Sequence, residues 1–365
     1  MTEEVFFIRC DAAETDESLG GKLERVLKAR DLLGFIQPRD MVAIKTHFGE
    51  ADTDGYVRPL FLRLLAERIR RVPALPFMTE TSTLYSGHRS NAIAHIAQAH
   101  AHGFGFETTR MPIVMADGLF GDEEVEVEIP GRIFPRVKIA ALLAKIQALV
   151  AVSHFTGHIQ TGFGATLKNL GMGLASRRGK LNQHSTAKPT VKKKKCTGCG
   201  VCQAWCPVQA ISLASPASPA SPVAAVVAVI DHSICIGCGQ CLAVCRFDAI
   251  GYNWGASQEQ LQKKMVEHAL GVSRILKGRM LCLNFLTRIS RDCDCMGPTR
   301  VILNDIGVLI GSDPVAVDAA ALDLVEERLS AKGLRLPAQE FCRIQLEYAV
   351  QIGLGNAAYR LVDIS

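Results

Sequence analysis

The chain lacks several features that would assign it to a common class of protein. It has neither the phosphate-binding pattern G-x-x-x-x-G-K-[ST] nor the dinucleotide pattern G-x-G-x-x-G, so its glycines do not predict ATP or NAD binding. Residues 196–230 carry no charge, but cysteines and prolines interrupt this run, and we predict no membrane-spanning helix. The opening MTEEVFFIRC lacks the positively charged start of a signal peptide. We therefore expect a cytoplasmic protein without a membrane partner.

The sequence also lacks a strong excess of charge. Its formal net charge of +5 counts each cysteine as a neutral thiol, and metal-bound thiolates would bring it closer to zero. The basic run Lys192 to Lys195 has no aromatic residues interleaved with it, as sites for single-stranded nucleic acid do. We predict no nucleic-acid partner.

Cysteine, in contrast, is abundant, and eight of the 13 cysteines form two copies of one pattern. The spacing C-x₂-C-x₂-C-x₃-C resembles that of bacterial double-cluster ferredoxins, in which the fourth cysteine of each run ligates the other cluster. We therefore expect two [4Fe–4S] clusters as cofactors. Zinc is the alternative for any set of four cysteines, but two full repeats favour iron. The expected ligands are Cys196, Cys199, Cys202 and Cys245 for cluster one, and Cys235, Cys238, Cys241 and Cys206 for cluster two.

Two segments beside these motifs are predicted to be loops. The basic segment at residues 177–195 is typical of a solvated linker, with a docking patch for an acidic redox partner as the alternative. The repeat ASPASPASP, residues 214–222, contains too much proline for a helix or a central strand. Arg246 stands where proline usually follows the fourth cysteine, so one cluster is expected to have a cation beside it.

Outside the cysteine motifs, short apolar runs alternate with amphipathic stretches. MVAIKTHFG, LPFMTET, ALVAVSHF, MLCLNFL and IGVLIG predict strands, and the α/β alternation predicts a mainly parallel sheet with helices on both faces. Asp313 and Pro314 are typical of a helix start. The predicted parts are an α/β domain in two pieces at 1–183 and 253–365, a basic linker at 184–195 and an inserted double-cluster module at 196–252.

Polar side chains gather where the predicted strands end. Because ligands of open α/β sheets bind outside the carboxyl ends of the strands, we expect one site there. Its cations suit a small anionic ligand, and a histidine could act as acid or base or bind a metal. Each residue taken singly could instead be structural. The candidate catalytic residues are Lys45, His47, His154, His158 and Lys168.

Two further patterns lead to local expectations. GFGATLKNLGMG, residues 162–173, indicates a glycine turn that opens a helix, and such a helix start suits an anion. His95, His100 and His102 lie in an alanine-rich helix and are interpreted as part of a half-exposed surface.

Three of the five cysteines outside the two repeated motifs lie in the segment CLNFLTRISRDCDCMGP. Cys293 and Cys295 form a C-x-C pair, which can chelate iron or zinc, and Cys282 lies on the preceding strand. The alternatives are free thiols or a reversible disulfide. An additional metal ion at Cys293 and Cys295 is therefore one hypothesis.

Several of these motifs together resemble one family. HFGE, STLYSGHR, SHFTGHIQTGFGATLKNLGMG, NFL…CDC and IGVLIGSDPVAVDAAALDL are similar to the domain-of-unknown-function 362 family, and the resemblance covers nearly the whole chain. Many members of that family carry an inserted double-cluster ferredoxin module. The resemblance implies an iron–sulfur redox protein with a polar site at the strand ends.

Three functions are consistent with the sequence. The leading one is an iron–sulfur oxidoreductase that relays single electrons from a redox partner protein or carrier to an anionic substrate or cofactor. The second is a non-enzymatic electron carrier or a subunit of a larger redox complex. The third is a metal- or cluster-handling protein that uses Cys282, Cys293 and Cys295.

Overall fold

The computed structural model describes residues 2–11, 14–85, 87–184, 188–214, 226–235, 240–247, 249–251, 257–295 and 300–364. Within these ranges the strands are β1 (Glu3–Arg9), β2 (Met41–Lys45), β3 (Leu75–Thr79), β4 (Glu124–Glu128), β5 (Arg136–Ala140), β6 (Ala148–His154), β7 (Thr156–His158), β8 (Gly162–Gly164), β9 (Thr190–Val191), β10 (Ile211–Ala214), β11 (Val227–Ile230), β12 (Ile250–Gly251), β13 (Met280–Leu286), β14 (Ile289–Ser290), β15 (Val301–Leu303), β16 (Gly307–Gly311) and β17 (Tyr359–Asp363).

The helices of the same ranges vary in length from single turns to the long helices α9 and α10. They are α1 (Asp16–Ala29), α2 (Pro59–Ile69), α3 (Ala92–Ala101), α4 (Phe106–Thr109), α5 (Thr166–Gly171), α6 (Arg177–His184), α7 (Val201–Ala204), α8 (Gln240–Val244), α9 (Gln258–Leu276), α10 (Pro314–Ser330) and α11 (Ile344–Gln351). Across the described part of the chain, no helix is both long enough and apolar enough to cross a bilayer.

The centre of the molecule is a seven-stranded sheet with the order β17-β1-β16-β13-β6-β2-β3. Strand β16 runs antiparallel to both of its neighbours, and the other neighbouring pairs are parallel. The predicted mainly parallel α/β sheet is therefore confirmed. The parallel half, β13-β6-β2-β3, brings the carboxyl ends of four strands to one edge, where the polar residues of the sequence lie.

Both faces of this sheet are buried. Along β6, Leu149 and Ala151 belong to one apolar cluster, while Val150 and Val152 belong to another on the opposite face. The first cluster includes residues of α5, α9 and α10, and the second includes residues of α1 and α2. This two-sided burial explains why the strands are almost continuously apolar instead of alternating.

Local sequence determines where the long helices begin. Asp313 accepts hydrogen bonds from the amides of Val315 and Ala316, and Pro314 occupies the first position of α10. Ser257 caps α9 in the same way. The predicted helix start at Asp313 is therefore correct, because a side-chain acceptor and a proline need only their immediate neighbours.

The chain leaves and rejoins the central sheet around its repeated cysteine motifs. Strand β6 precedes these motifs and β13 follows them, yet the two strands pair in parallel. Between them, the cysteine-rich segment (residues 188–251) forms two small sheets, β10-β11 and β9-β12, and the short helices α7 and α8. The domain boundaries proposed from the sequence remain predictions. Most of the ASPASPASP repeat lies outside the described residues.

Two expectations about exposed segments were wrong. Residues 177–184 form helix α6 instead of a solvated linker, and Arg177 and Lys180 are buried. The Arg177 guanidinium donates to the carbonyl oxygens of Thr83 and Phe120, which explains why this cation is buried. His95 is fully buried beside Glu80 and does not lie on a half-exposed surface.

Candidate functional site

A cavity of about 460 Å³ lies at the carboxyl ends of β2, β3 and β6. Loops that follow β6 and β14 and the helices α5, α6 and α9 complete its wall. The five residues proposed from the sequence all line it, namely Lys45, His47, His154, His158 and Lys168. The fold thus brings together side chains that are far apart in the chain, and their individual surroundings differ strongly.

Lys45 is held by a buried ion pair at the end of β2. Its Nζ lies 2.5 Å from Oε1 of Glu80 and donates to Oδ1 of Asn169 at 2.8 Å. Burial lowers the pKa of Lys45. Burial alone would raise the pKa of Glu80, but Lys45 and three other basic neighbours lower the pKa of Glu80 to about 2. Because Glu80 already balances its charge, Lys45 shapes the cavity wall and is not a free cation for a ligand.

Arg89 is a second buried cation, and it connects two loops at the strand ends. Its Nε donates to Oε2 of Glu50 at 3.1 Å, and Nη1 lies 2.7 Å from Nε2 of His47. Its Nη2 donates to the hydroxyl of Tyr85. The guanidinium therefore fixes the position of His47 and brings positive charge to this wall of the cavity.

His154 uses both ring nitrogens within the protein. Nδ1 lies 2.8 Å from Oδ2 of Asp294, and Nε2 lies 2.7 Å from the carbonyl oxygen of Thr287. Both partners are acceptors, so the ring donates from both nitrogens. Burial alone would lower the pKa of His154, but Asp294 raises it. This corrects the expected acid–base role, because no ring nitrogen is left for a substrate.

His158 has the opposite character. Its Nδ1 accepts from the amides of Gln160 and Thr161, each at 3.2 Å. Burial and the nearby charge of Lys168 lower the pKa of His158 well below that of a free imidazole. The ring is thus neutral, with its proton on Nε2, and can donate one hydrogen bond to a ligand in the cavity.

Lys168, on α5, is the cation that the protein leaves for a ligand. Among the described residues, its ammonium group makes no hydrogen bond or ion pair. Although burial works in the opposite direction, the negative charges of Cys295 and Asp294 raise the pKa of Lys168, which therefore stays charged. The predicted anionic ligand thus has a charged partner in this cavity.

The start of α5 is not the anion site that its glycines indicated. The amides of Thr166 and Leu167 donate to the two carboxylate oxygens of Asp318 at 2.9 and 2.8 Å. Asn284 donates to the same carboxylate. This expectation was therefore wrong, because a buried side chain from α10 already occupies the helix start.

Cys293 and Cys295 line the cavity, whereas Cys282 is fully buried in β13 and does not. The set of three cysteines considered from the sequence is therefore not assembled. Sγ of Cys295 lies 3.3 Å from Nε2 of His47. Its interaction with the Cys293 side chain, followed by the positive charges of Arg89 and Lys168, lowers the pKa of Cys295 well below that of a free thiol.

A second, smaller cavity lies in the cysteine-rich segment. Its lining includes Cys196, Cys199, Cys202 and Cys245, the four residues expected to bind cluster one. Backbone amides donate to the sulfurs: Ala228 to Cys196 and Ala249 to Cys245, each at 3.3 Å. The fourth cysteine of the second motif thus lies with the first three of the first motif.

The donor set of this second cavity fits an iron–sulfur cluster. Thiolates are the ligands of such clusters, and amide hydrogen bonds to sulfur are typical of them. Among the described residues, no group of three or more Cys, His, Asp or Glu side chains is placed to hold a single metal ion. For cluster two, Cys238 lies outside the described residues, so its predicted ligand set stays a prediction.

The cysteine-rich segment packs against the wall of the large cavity. Leu242, next to Cys241, packs against Leu84 and Leu181. Trp205, next to Cys206, meets Phe120 edge to face, with ring centroids 5.1 Å apart. Leu84 also lines the cavity. Leu242, beside one expected ligand of cluster two, therefore contacts a residue of the cavity wall.

Sequence reasoning missed several residues that hold this site together. Asp294 orients His154, and Asp318 caps the helix that carries Lys168. Lys180, assigned to a linker, lines the cavity and donates to the carbonyl oxygen of Ala175. The position of Asp294 between two cysteines was a visible signal; Asp318 and Lys180 gave none.

The comparisons with known proteins identify a family but no activity. The family model described as "Domain of unknown function (DUF362)" matches residues 42–323. No curated protein matches the chain. One similar solved structure is the lactate racemase apoprotein from Thermoanaerobacterium thermosaccharolyticum, with 13% identity and a TM-score of 0.45 over 90% of this chain and 58% of that chain.

Another similar structure is that of a protein from Thermotoga maritima, with 11% identity and a TM-score of 0.44 over 87% of this chain and 60% of that one. The chain therefore corresponds to only part of the length of each of these two proteins. The family match, in contrast, covers most of this chain, and the protein is thus a member of the family described as domain of unknown function DUF362.

Proposed function

We propose that the protein is an iron–sulfur oxidoreductase that passes single electrons to an anionic substrate in the large cavity. Two [4Fe–4S] clusters would be held by Cys196, Cys199, Cys202 and Cys245, and by Cys235, Cys238, Cys241 and Cys206. When bound, each such cluster accepts and releases one electron. The observation that carries the proposal is Leu84, which lines the cavity and packs against Leu242 beside Cys241.

The cavity residues would divide the work between binding and proton transfer. The ammonium group of Lys168 would hold the acidic group of the substrate, because it is charged and has no partner among the described residues. His158 would donate a hydrogen bond from Nε2 to a polar atom of the substrate. The buried pair Lys45–Glu80 and the His154–Asp294 pair would keep the wall rigid.

Electrons would arrive at the side of the segment that carries Cys199. Cys199 is exposed, and so are the neighbouring side chains of Lys193 and Lys194. A positively charged surface beside a cluster ligand suits an acidic redox protein, whose docking would be fastest at low salt. We expect Lys193→Glu together with Lys194→Glu to slow reduction by such a partner, whereas Arg328→Glu, an exposed change on α10, leaves the rate unchanged.

Anaerobic purification with metal analysis and a spectroscopic redox titration tests the proposal. We expect about eight iron and eight sulfide atoms per chain and two one-electron transitions. A protein that holds neither iron nor sulfide would refute the relay. If the clusters are present but Lys168→Met and His158→Gln leave every cluster-coupled reaction unchanged, the cavity is not the substrate site. The protein would then be an electron carrier or a subunit of a redox complex.

A further inference from the structure

Cys293 and Cys295 have no role in the function proposed above, yet they form a compact pair inside the cavity. One residue separates them, and both side chains line the cavity. The residue between them, Asp294, is fixed by its bond to His154 at 2.8 Å. The loop that carries both sulfurs is thereby held in one place in the cavity wall.

The position of Cys295 shows which sulfur is the nucleophile. Its sulfur lies 3.3 Å from Nε2 of His47, and the same ring nitrogen lies 2.7 Å from Nη1 of Arg89. A guanidinium group keeps its charge, so Cys295 lies close to a fixed positive charge. Positive charge favours a thiolate over a thiol, which makes Cys295 the nucleophile and leaves Cys293 as the thiol that resolves the mixed disulfide.

The charges around the pair disfavour a bound metal cation. The guanidinium of Arg89 and the ammonium of Lys168 both act on the sulfur of Cys295. These two cations would repel a metal ion there, whereas they stabilise both a thiolate and an anionic substrate. The surroundings thus favour thiol chemistry over the additional metal ion that the C-x-C spacing allowed.

We propose that Cys293 and Cys295 form a redox-active dithiol that reduces a small, negatively charged disulfide inside the cavity. The sulfur of Cys295 attacks one substrate sulfur, the substrate S–S bond breaks, and the first substrate thiolate leaves and takes up a proton. Cys293 then loses its proton and attacks Sγ of Cys295. This step forms the Cys293–Cys295 disulfide and releases the second substrate thiol.

The net reaction consumes one dithiol and one substrate disulfide and gives two substrate thiols and one protein disulfide. Two electrons and two protons return the pair to the dithiol. Their source is the one-electron donor of the relay, so this inference rests on the proposed function for turnover but not for the first reduction. The substrate is small, because Cys293 is only 7% exposed and a folded protein could not reach it. It is anionic, because Lys168 lines the same cavity.

The test is a single turnover with the anaerobic holoprotein in its dithiol form. It is mixed with 3,3′-dithiodipropionate, a dianionic disulfide, or with the neutral 2-hydroxyethyl disulfide, then quenched in acid, alkylated and mapped by mass spectrometry. We expect two thiols released per chain, a Cys293–Cys295 disulfide, and a rate about tenfold higher with the charged probe. Lys168→Met should remove most of that preference.

The variants make the result decisive. We expect no disulfide formation in Cys295→Ser and a mixed disulfide trapped on Cys295 in Cys293→Ser, whereas Cys10→Ala, at a buried cysteine outside the cavity, should react like the unchanged protein. Reaction at other cysteines alone, or an undiminished rate in Cys295→Ser, would overturn the inference. Iron content, measured on the same sample, tests the relay separately, because this turnover draws no electron from the clusters.

Discussion

The molecule contains two cavities lined by cysteine, and their surroundings differ. In the cysteine-rich segment, four cysteines meet with no charged side chain among the described residues of the lining. In the large cavity, Cys293 and Cys295 lie among His47, Arg89 and Lys168. Four thiolates without a counter-charge need a metal, whereas a thiolate already surrounded by cations does not. The neighbours of a cysteine, more than its spacing, determine what it can bind.

The hydrogen bonds to sulfur differ in the same way. In the small cavity the donors are backbone amides, such as that of Ala249 to Cys245 at 3.3 Å. Amides stabilise a thiolate without adding a net charge, so they leave the charge of the thiolates to be balanced by the proposed cluster. In the large cavity, the sulfur of Cys295 instead lies beside the side chains of His47 and Cys293.

The largest expected effect separates the two cavities by metal content. Cys245→Ser removes one of the four sulfurs of the small cavity, and we expect it to lose about four iron atoms per chain. Cys295→Ser should keep all of its iron, because that sulfur already has cationic neighbours. Anaerobic iron and sulfide analysis of both variants measures this directly. Iron loss in Cys295→Ser would show that the large cavity also holds metal.

A second prediction concerns the buried charges that keep the large cavity in shape. Glu80→Gln leaves the ammonium of Lys45, which is 1% exposed, without its carboxylate. Removing one partner of a buried ion pair costs about 3–5 kcal/mol, so the free energy of unfolding should fall by that amount. Urea unfolding followed by circular dichroism gives the value.

The matched control for Glu80→Gln is an exposed pair elsewhere in the same domain. Glu128 and Arg136 lie 2.7 Å apart on the hairpin β4-β5, with both side chains largely exposed. Glu128→Gln should change the free energy of unfolding by less than about 1 kcal/mol. If the free energy of unfolding falls equally little in both variants, the Lys45–Glu80 pair does not stabilise the cavity.

Much of this arrangement could be predicted from the sequence, because its signals are local. Apolar runs predicted the central strands, and the polar residues at their ends, such as Lys45 and His154, were assigned to one site that the fold does assemble. Strands that share a parallel sheet must end at a common edge, so the prediction needed no knowledge of strand order. The Asp313–Pro314 helix start followed from neighbours alone.

The partners that fix each side chain could not be predicted. Asp318 binds the amide of Thr166 from 152 residues away, and in the sequence it is only one polar residue in an amphipathic helix. Arg177 resembled part of a solvated linker, because its burial depends on carbonyl oxygens supplied by distant loops. Such contacts depend on the three-dimensional fold, which composition and periodicity do not specify.

Asp318 also allows a third and smaller prediction about the large cavity. Asp318→Ala leaves the amides of Thr166 and Leu167 without an acceptor, and we expect a loss of about 1–3 kcal/mol in the free energy of unfolding. Because α5 carries Lys168, the preference for an anionic probe should weaken as well. Glu67→Ala, which removes an exposed partner of Arg63, should cost less than about 1 kcal/mol.

The pH dependence of this effect has a defined sign. Burial raises the pKa of Asp318 to about 7, above the value of an exposed carboxyl group. The contribution of Asp318 to stability is then complete in acid and is lost as the pH rises through about 7. The difference in free energy of unfolding between the unchanged protein and Asp318→Ala should be larger at pH values well below 7 than above 7. An opposite trend would mean that the folded state favours the ionised carboxylate of Asp318 over its protonated form.

The smallest expected effect tests one contact between the cysteine-rich segment and the rest of the chain. Trp205 is 42% exposed and meets Phe120 edge to face, a contact worth about 0.5–1.5 kcal/mol. Trp205→Ala should therefore leave the unfolding of the α/β domain nearly unchanged but increase hydrogen exchange around Phe120 and Leu84. Ile234→Ala, at another exposed apolar residue of the cysteine-rich segment, should change neither. Unchanged exchange in Trp205→Ala would mean that the Trp205–Phe120 contact does not hold the segment in place.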